Sequence, residues 1–197
     1  MILRALIATT ALATFATTAF SQDAGDIAVG LGTTNFGLSL EGEYTINPQV
    51  RVRGLIMGGL TIEDEFEVED ATVDGEAEFG GFALIGDYYP LGNAWRISGG
   101  LFVSNTEITG LVEDEGLEYE GTVEFANSVA PMVATGFSTS FAPGWAVSGD
   151  LGVIISSLEV SSDDVNPLVQ ADVDELNDDL EDIPVYPFAG VTVSYVF

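Results

Sequence analysis

Apolar residues recur at every second position along this chain, in blocks separated by turn residues or by acidic stretches. In 185–197, Val185, Pro187, Ala189, Val191, Val193, Tyr195 and Phe197 alternate with Tyr186, Phe188, Gly190, Thr192, Ser194 and Val196. A period of two with one apolar face predicts a strand whose greasy side meets an apolar environment. Residues 35–45 repeat the pattern, with Phe36, Leu38, Leu40, Gly42 and Tyr44 on one face and Ser39, Glu41 and Glu43 on the other. In 50–61 the apolar Val50, Val52, Gly54, Ile56 and Leu60 oppose Arg51, Arg53, Leu55 and Met57. The blocks 79–89 and 95–104 place Phe82, Leu84, Tyr88, Trp95, Ile97 and Leu101 on the apolar side, against Asp87, Arg96, Ser98 and Phe102. Two more strands are predicted at 122–137 and 145–156, with Val129, Val133, Phe137, Trp145, Leu151 and Val153 on the apolar side and Gly136 and Asp150 opposite. Pro131 cannot donate to a ladder, so a bulge is expected there.

Side-chain parity constrains the turns. A three-residue loop, Asn47-Pro48-Gln49, pairs Glu43 with Arg53 and Thr45 with Arg51, so like faces meet and the polar face gains a cross-strand ion pair. A four-residue loop at Pro90–Asn93 pairs Asp87 with Arg96 and Tyr88 with Trp95. A third turn is expected over 138–144. Between these hairpins lie long acidic segments: 62–76 and 105–121 read as solvated loops. In the third, Pro167 to about Glu181 reads as an amphipathic helix, with Asn166 as its cap and Val169, Val173, Leu176 and Leu180 at helical spacing. Its stripe is expected to cover Tyr186 and Phe188 at a barrel mouth, an exposed docking surface being the competing reading.

Seven strands are clear, and a short first strand at 26–33 makes eight with both termini on the short-turn side. Each strand-length block supplies the roughly 9–11 residues a membrane-spanning strand needs. Tyr44, Tyr88, Trp95, Phe137, Trp145 and Phe197 fall at the strand ends nearest the short turns, all on the apolar face. Six aromatics at one level predict an interfacial girdle. The expected fold is therefore all-β, a closed antiparallel up-and-down transmembrane barrel of eight strands with a short helix in the last external loop.

Composition sharpens this picture. Of the 197 residues, 47% are hydrophobic, yet the net charge is −28. Most of the 32 acids lie in the three long segments, so charge is concentrated on one rim. The first 21 residues, with Arg4, an apolar run and small residues around Ala19, read as a cleaved signal peptide, leaving 22–197 as the barrel domain. Cleavage is expected after Ser21, with Ala19 as the alternative. The mature chain then has three Arg and no Lys, which excludes nucleic acid as a partner. There is no cysteine, so an exported fold must hold without disulfides.

The stretches GDYYPLGNAWRISGGL and NSVAPMVATGF, the acidic helical loop and the ending VSYVF resemble small eight-stranded outer-membrane proteins of proteobacteria, of the OmpA-transmembrane-domain and OmpW-like type. The resemblance spans nearly all of the mature chain and implies the outer membrane of a Gram-negative bacterium. It also implies insertion by the barrel-assembly machinery reading the C-terminal pattern, and contact with outer-membrane lipid and lipopolysaccharide. It carries over no functional residues.

The candidate site is the charged set on the polar faces: Glu41, Glu43, Arg51, Arg53, Asp87, Arg96 and Asp150. An eight-stranded barrel has an interior just wide enough for side chains to fill. These residues are expected to form a paired interior plug, giving a structural or surface-interaction role; the alternative is a narrow pathway for small solutes or cations. Divalent cations are candidate partners of the acidic loops, although no EF-hand spacing occurs and no metal site or cofactor is assigned. With no His and no Cys, His bases and thiol nucleophiles are absent, and enzymatic activity is not expected.

Overall fold

The computed structural model describes residues 23–68, 71–114, 117–162, 167–181 and 184–197. The signal-peptide segment and the Asn166 cap lie outside the described residues. The strands are β1 (Ile27–Thr34), β2 (Gly37–Asn47), β3 (Val50–Val68), β4 (Ala71–Tyr88), β5 (Trp95–Ser104), β6 (Glu107–Asp114), β7 (Leu117–Phe125), β8 (Val129–Ala142), β9 (Trp145–Ile154), β10 (Leu158–Ser162) and β11 (Tyr186–Val196). One helix, α1, spans Pro167–Glu181, the predicted stretch.

Eight of these strands close a ring in the order β1-β2-β3-β4-β5-β8-β9-β11, every neighbour antiparallel. The seam is the predicted one, the last strand against the first, with Ala28 opposite Val196 and Phe197 N donating to Ile27 O at 2.9 Å. Alternation sorts the side chains as the sequence implied. On β2, Ser39, Glu41, Glu43 and Thr45 are buried while Leu38, Leu40 and Tyr44 are exposed. The inward residues fill the ring, and the outward ones form an apolar belt.

Above the ring the predicted loops are sheet. Residues 60–68 of β3 pair with 71–79 of β4, and β6, β7 and β10 continue the order to give a five-stranded extension β3-β4-β6-β7-β10. The expectation of solvated loops at 62–76 and 105–121 is thus corrected. Acidic residues alternate there with Ile62, Phe66, Val73, Ala77, Ile108 and Val112, so the period of two continues under the charge. Gly59, at φ 78°, marks a bulge between Met57 and Leu60 where β3 leaves its ladder with β2.

Several local expectations change. The first hairpin has the predicted register, Glu43 opposite Arg53 and Thr45 opposite Arg51. The second is two residues off: Asp87 pairs with Ser98 and Tyr88 with Ile97, not with Arg96 and Trp95. Tyr89 turns inward, donating its N–H to Gln49 O, and Gly92 N bonds Tyr89 O, so the turn is longer than four residues. A shift of two preserves parity, which is why the faces were still right. The third turn is tighter than expected, because β8 runs to Ala142 with a bulge between Ser140 and Ala142. Pro131 needs no bulge: it lies in register opposite Leu101, and its carbonyl accepts from Ile155 N where the β8–β9 ladder ends.

Phe36 is the largest correction. Sequence alternation puts it on the outward face of a strand, but it sits in the β1–β2 turn and is fully buried. Asn35 explains this. Its backbone N–H and side-chain amide donate to Ala189 O and Pro187 O, and its carbonyl oxygen accepts from Ala189 N. The turn is thereby pinned to β11, and Phe36 folds over the mouth of the ring. The helix does not cover that mouth with its stripe: Leu176 is 51% exposed, and α1 packs along β10.

Candidate functional site

The predicted charged residues meet inside the short-turn half of the ring. β2 supplies Glu41 and Glu43, β3 Arg51 and Arg53, β4 Asp87, β5 Arg96 and β9 Asp150; all seven are buried. Arg53 lies at the centre. Its Nε and Nη2 donate to Asp87, Nη1 donates to Glu41 at 3.1 Å and to Asp150 at 3.0 Å, and Nη2 donates to Asp150 at 3.3 Å. All five guanidinium N–H groups are therefore satisfied by carboxylates. Arg96 approaches from the other side, with Nη2 2.8 Å from both oxygens of Asp150 and Nη1 bonded to Phe137 O and Tyr89 Oη. Asp150 thus joins two guanidiniums carried on different walls.

The first-hairpin ion pairs run diagonally rather than straight across. Arg53 bonds Glu41 and Arg51 bonds Glu43, although the register sets Arg53 opposite Glu43. Long side chains on a twisted pair of strands reach the diagonal neighbour readily. Arg51 also stacks over the Tyr89 ring at 4.4 Å, a cation–π contact the sequence reading missed. Ser98, the register partner of Asp87, donates its hydroxyl to that carboxylate.

Small residues on the facing wall make room for these long chains. Gly30, Gly32, Ser39, Ser148, Thr192 and Ser194 line β1, β2, β9 and β11, where the ladders set Gly32 against Thr192 and Ser39. Gly136 has the most direct bearing on the site: a Cβ there would lie 2.4 Å from Gly149 O and 2.6 Å from Asp150 Oδ1. Gly136→Ala is expected to displace Asp150 from Arg96. The measurement is the heating temperature at which the compact gel band converts to the unfolded one, and an unchanged midpoint would show that the pair tolerates the methyl group.

A second layer lies above the charges. Phe36, Phe102, Phe125 and Phe188 are buried together with Leu55, Met57, Ile85, Met132 and Ile154, and Tyr186 packs against them. Phe36 is its hub, with ring centroids 4.9 Å from Phe102, 5.6 Å from Tyr186 and 6.4 Å from Phe125. The interior is therefore stacked as an ionic floor and an aromatic roof. The roof was only partly legible: Phe102 and Phe188 had inward parity, whereas Phe36 did not.

The predicted girdle residues Tyr44, Tyr88, Trp95, Phe137, Trp145 and Phe197 are all exposed on the outer face. Trp95 pairs with Phe137 and donates its indole N–H to Thr135, while Tyr195 adds a seventh aromatic between Trp145 and Phe197 at 5.2 and 5.1 Å. Phe137 also covers Gly149, its cross-strand partner. Among the described residues no group of three or more acidic side chains is placed to hold a metal ion.

The closed eight-stranded antiparallel ring, apolar outside and packed inside, defines the class as a small β-barrel of the outer-membrane type. Among solved structures it is similar to CarO2 of Acinetobacter baumannii, at TM-score 0.65 and 14% identity, over 89% of this chain and 100% of that one. CarO of Acinetobacter baumannii is similar at TM-score 0.59 and 16% identity, over 87% and 97% of the two chains. No protein-family model matches the sequence, and no curated protein matches it. At these identities the likeness is one of fold.

Proposed function

We propose that this chain is an integral outer-membrane barrel of a Gram-negative envelope with a structural and surface-interaction role, its lumen closed to solutes. The observation that carries the reading is the double filling of the interior. The floor places Arg53 and Arg96, at 1% and 0% exposure, across the ring, and the roof places Phe36 and Phe102 above them, both at 0%. Moving an ion through would require opening a buried ion-pair network and displacing packed aromatic rings at once. The outward apolar belt, the exposed aromatics near the short turns and the fold shared with the CarO structures support the membrane assignment.

A narrow cation pathway is the second reading. Its support is the interior charge balance: four carboxylates, Glu41, Glu43, Asp87 and Asp150, face three guanidiniums. Planar-bilayer recording of the refolded protein separates the two. A silent bilayer is expected for the native chain. Discrete, cation-selective steps that change size in Arg53→Ala would replace the closed reading with the channel.

A further inference from the structure

The five-stranded extension treats its two edges differently. At the β10 edge, the side-chain amide of Asn177 on α1 accepts from Val160 N at 2.7 Å and donates to Val160 O at 3.0 Å. A helix side chain thus takes the place of a neighbouring strand. At the opposite edge, residues 60–68 of β3 pair with β4 alone among the described residues, and Thr61, Ile62 and Glu63 are exposed. Free backbone donors and acceptors along such a strand are a template for another chain.

The residues along this edge restrict which chain fits. In the register, Glu63 and Glu65 stand opposite Glu76 and Asp74, while Leu60, Ile62 and Phe66 stand opposite Phe79, Ala77 and Val73. The neighbouring row, which begins at Thr61 on β3, is acidic across the rest of the sheet: Glu78, Glu107, Glu124 and Glu159 are successive partners on four strands, about 4.8 Å apart, and all are exposed. Like charges in direct opposition destabilise a sheet. Among the described residues no basic side chain relieves them, because Arg51, Arg53 and Arg96 are all buried in the lumen floor. Pairing with the same edge of a second copy would add acid to acid.

We propose that the free edge of β3, residues 60–68, captures an extended polypeptide segment in which basic and apolar residues alternate. Main-chain hydrogen bonds to the edge supply affinity, and the alternating side chains supply selectivity. The segment's basic residues extend the rows begun by Glu63 and Glu65, and its apolar residues extend those of Ile62 and Phe66. The inference does not depend on whether the lumen conducts.

The experiment uses the full chain in lipid nanodiscs and two synthetic peptides of identical composition. One alternates arginine with valine; the other carries them in two separate blocks. The alternating peptide is expected to bind at least about tenfold more tightly, to slow amide hydrogen exchange over 60–68, and to lose its advantage when Glu63, Glu65 and Glu67 become Gln. A charge-matched control, Glu159→Gln with Asp174→Asn and Glu175→Gln, should keep the advantage. Equal binding of the two peptides means attraction by bulk charge only and overturns the proposal, as does absence of binding or exchange protection located elsewhere. The peptide comparison on the native chain decides the matter even if a variant fails to fold.

Discussion

Asp150→Ala is expected to cost the barrel about 3–5 kcal/mol, the range for breaking a buried ion pair by removing one partner. The reason is that this carboxylate serves two cations. Its loss removes both oxygens that hold Arg96 Nη2 and two of the five bonds of Arg53. Glu41 and Asp87 still hold Arg53, whereas Arg96 keeps only weaker contacts to Phe137 O, Tyr89 Oη and Asp87, the last at 3.6 Å. Urea unfolding from lipid vesicles, followed by the fluorescence of outward-facing Trp95 and Trp145, measures the effect. A loss under about 1 kcal/mol would place the pair among interactions worth little more than exposed ones. Adding Arg96→Met to Asp150→Ala should recover part of the loss, since an apolar chain of similar length leaves no unpaired charge.

Phe102→Ala should cost a similar amount by a different route, about 3–5 kcal/mol for deleting a buried phenylalanine ring. The ring lies 4.9 Å from Phe36 and 6.0 Å from Phe125, and it occupies the space left by Gly81, where a Cβ would fall 2.5 Å from Phe102 Cε2. The neighbours cannot close the void easily, because Phe36 is tethered through Asn35 to β11. The same vesicle assay applies, and Phe102→Leu should lose less than half as much. If leucine and alanine were equally damaging, ring packing would not be the cause.

The faces of the barrel could be read from parity, and parity survives errors of register. A four-residue turn gives Asp87 the wrong partner, yet Asp87 still points inward as parity requires, because the register differs by two and not by one. The lumen charges were legible for the same reason: a charged residue in a strand with one apolar face has only one direction to go. Their partners were not, since Arg53 to Asp150 spans 97 positions and depends on how the ring closes. Phe36 was misplaced because alternation continues through it in sequence, while the backbone has already turned. The extension was missed because its acid content suggested solvent, and solvent exposure of one sheet face is compatible with a ladder. The helix boundaries followed from local signals, but its seat on β10 uses side-chain amides, Asn177 and Gln170, that no period reveals.

The order in which Arg53 meets its partners has a kinetic meaning. Glu41 lies 12 positions away and Asp87 34, both within the first hairpins, but Asp150 arrives only with β9, 97 positions on. Contacts of such long separation slow folding. A sheet without β9 would carry Arg96 without the carboxylate that holds its Nη2. Docking of β9 brings Asp150 to both Arg53 and Arg96, and β11 then closes the seam against β1. The floor's widest-reaching contact and the β1–β11 seam therefore both depend on nearly the whole chain.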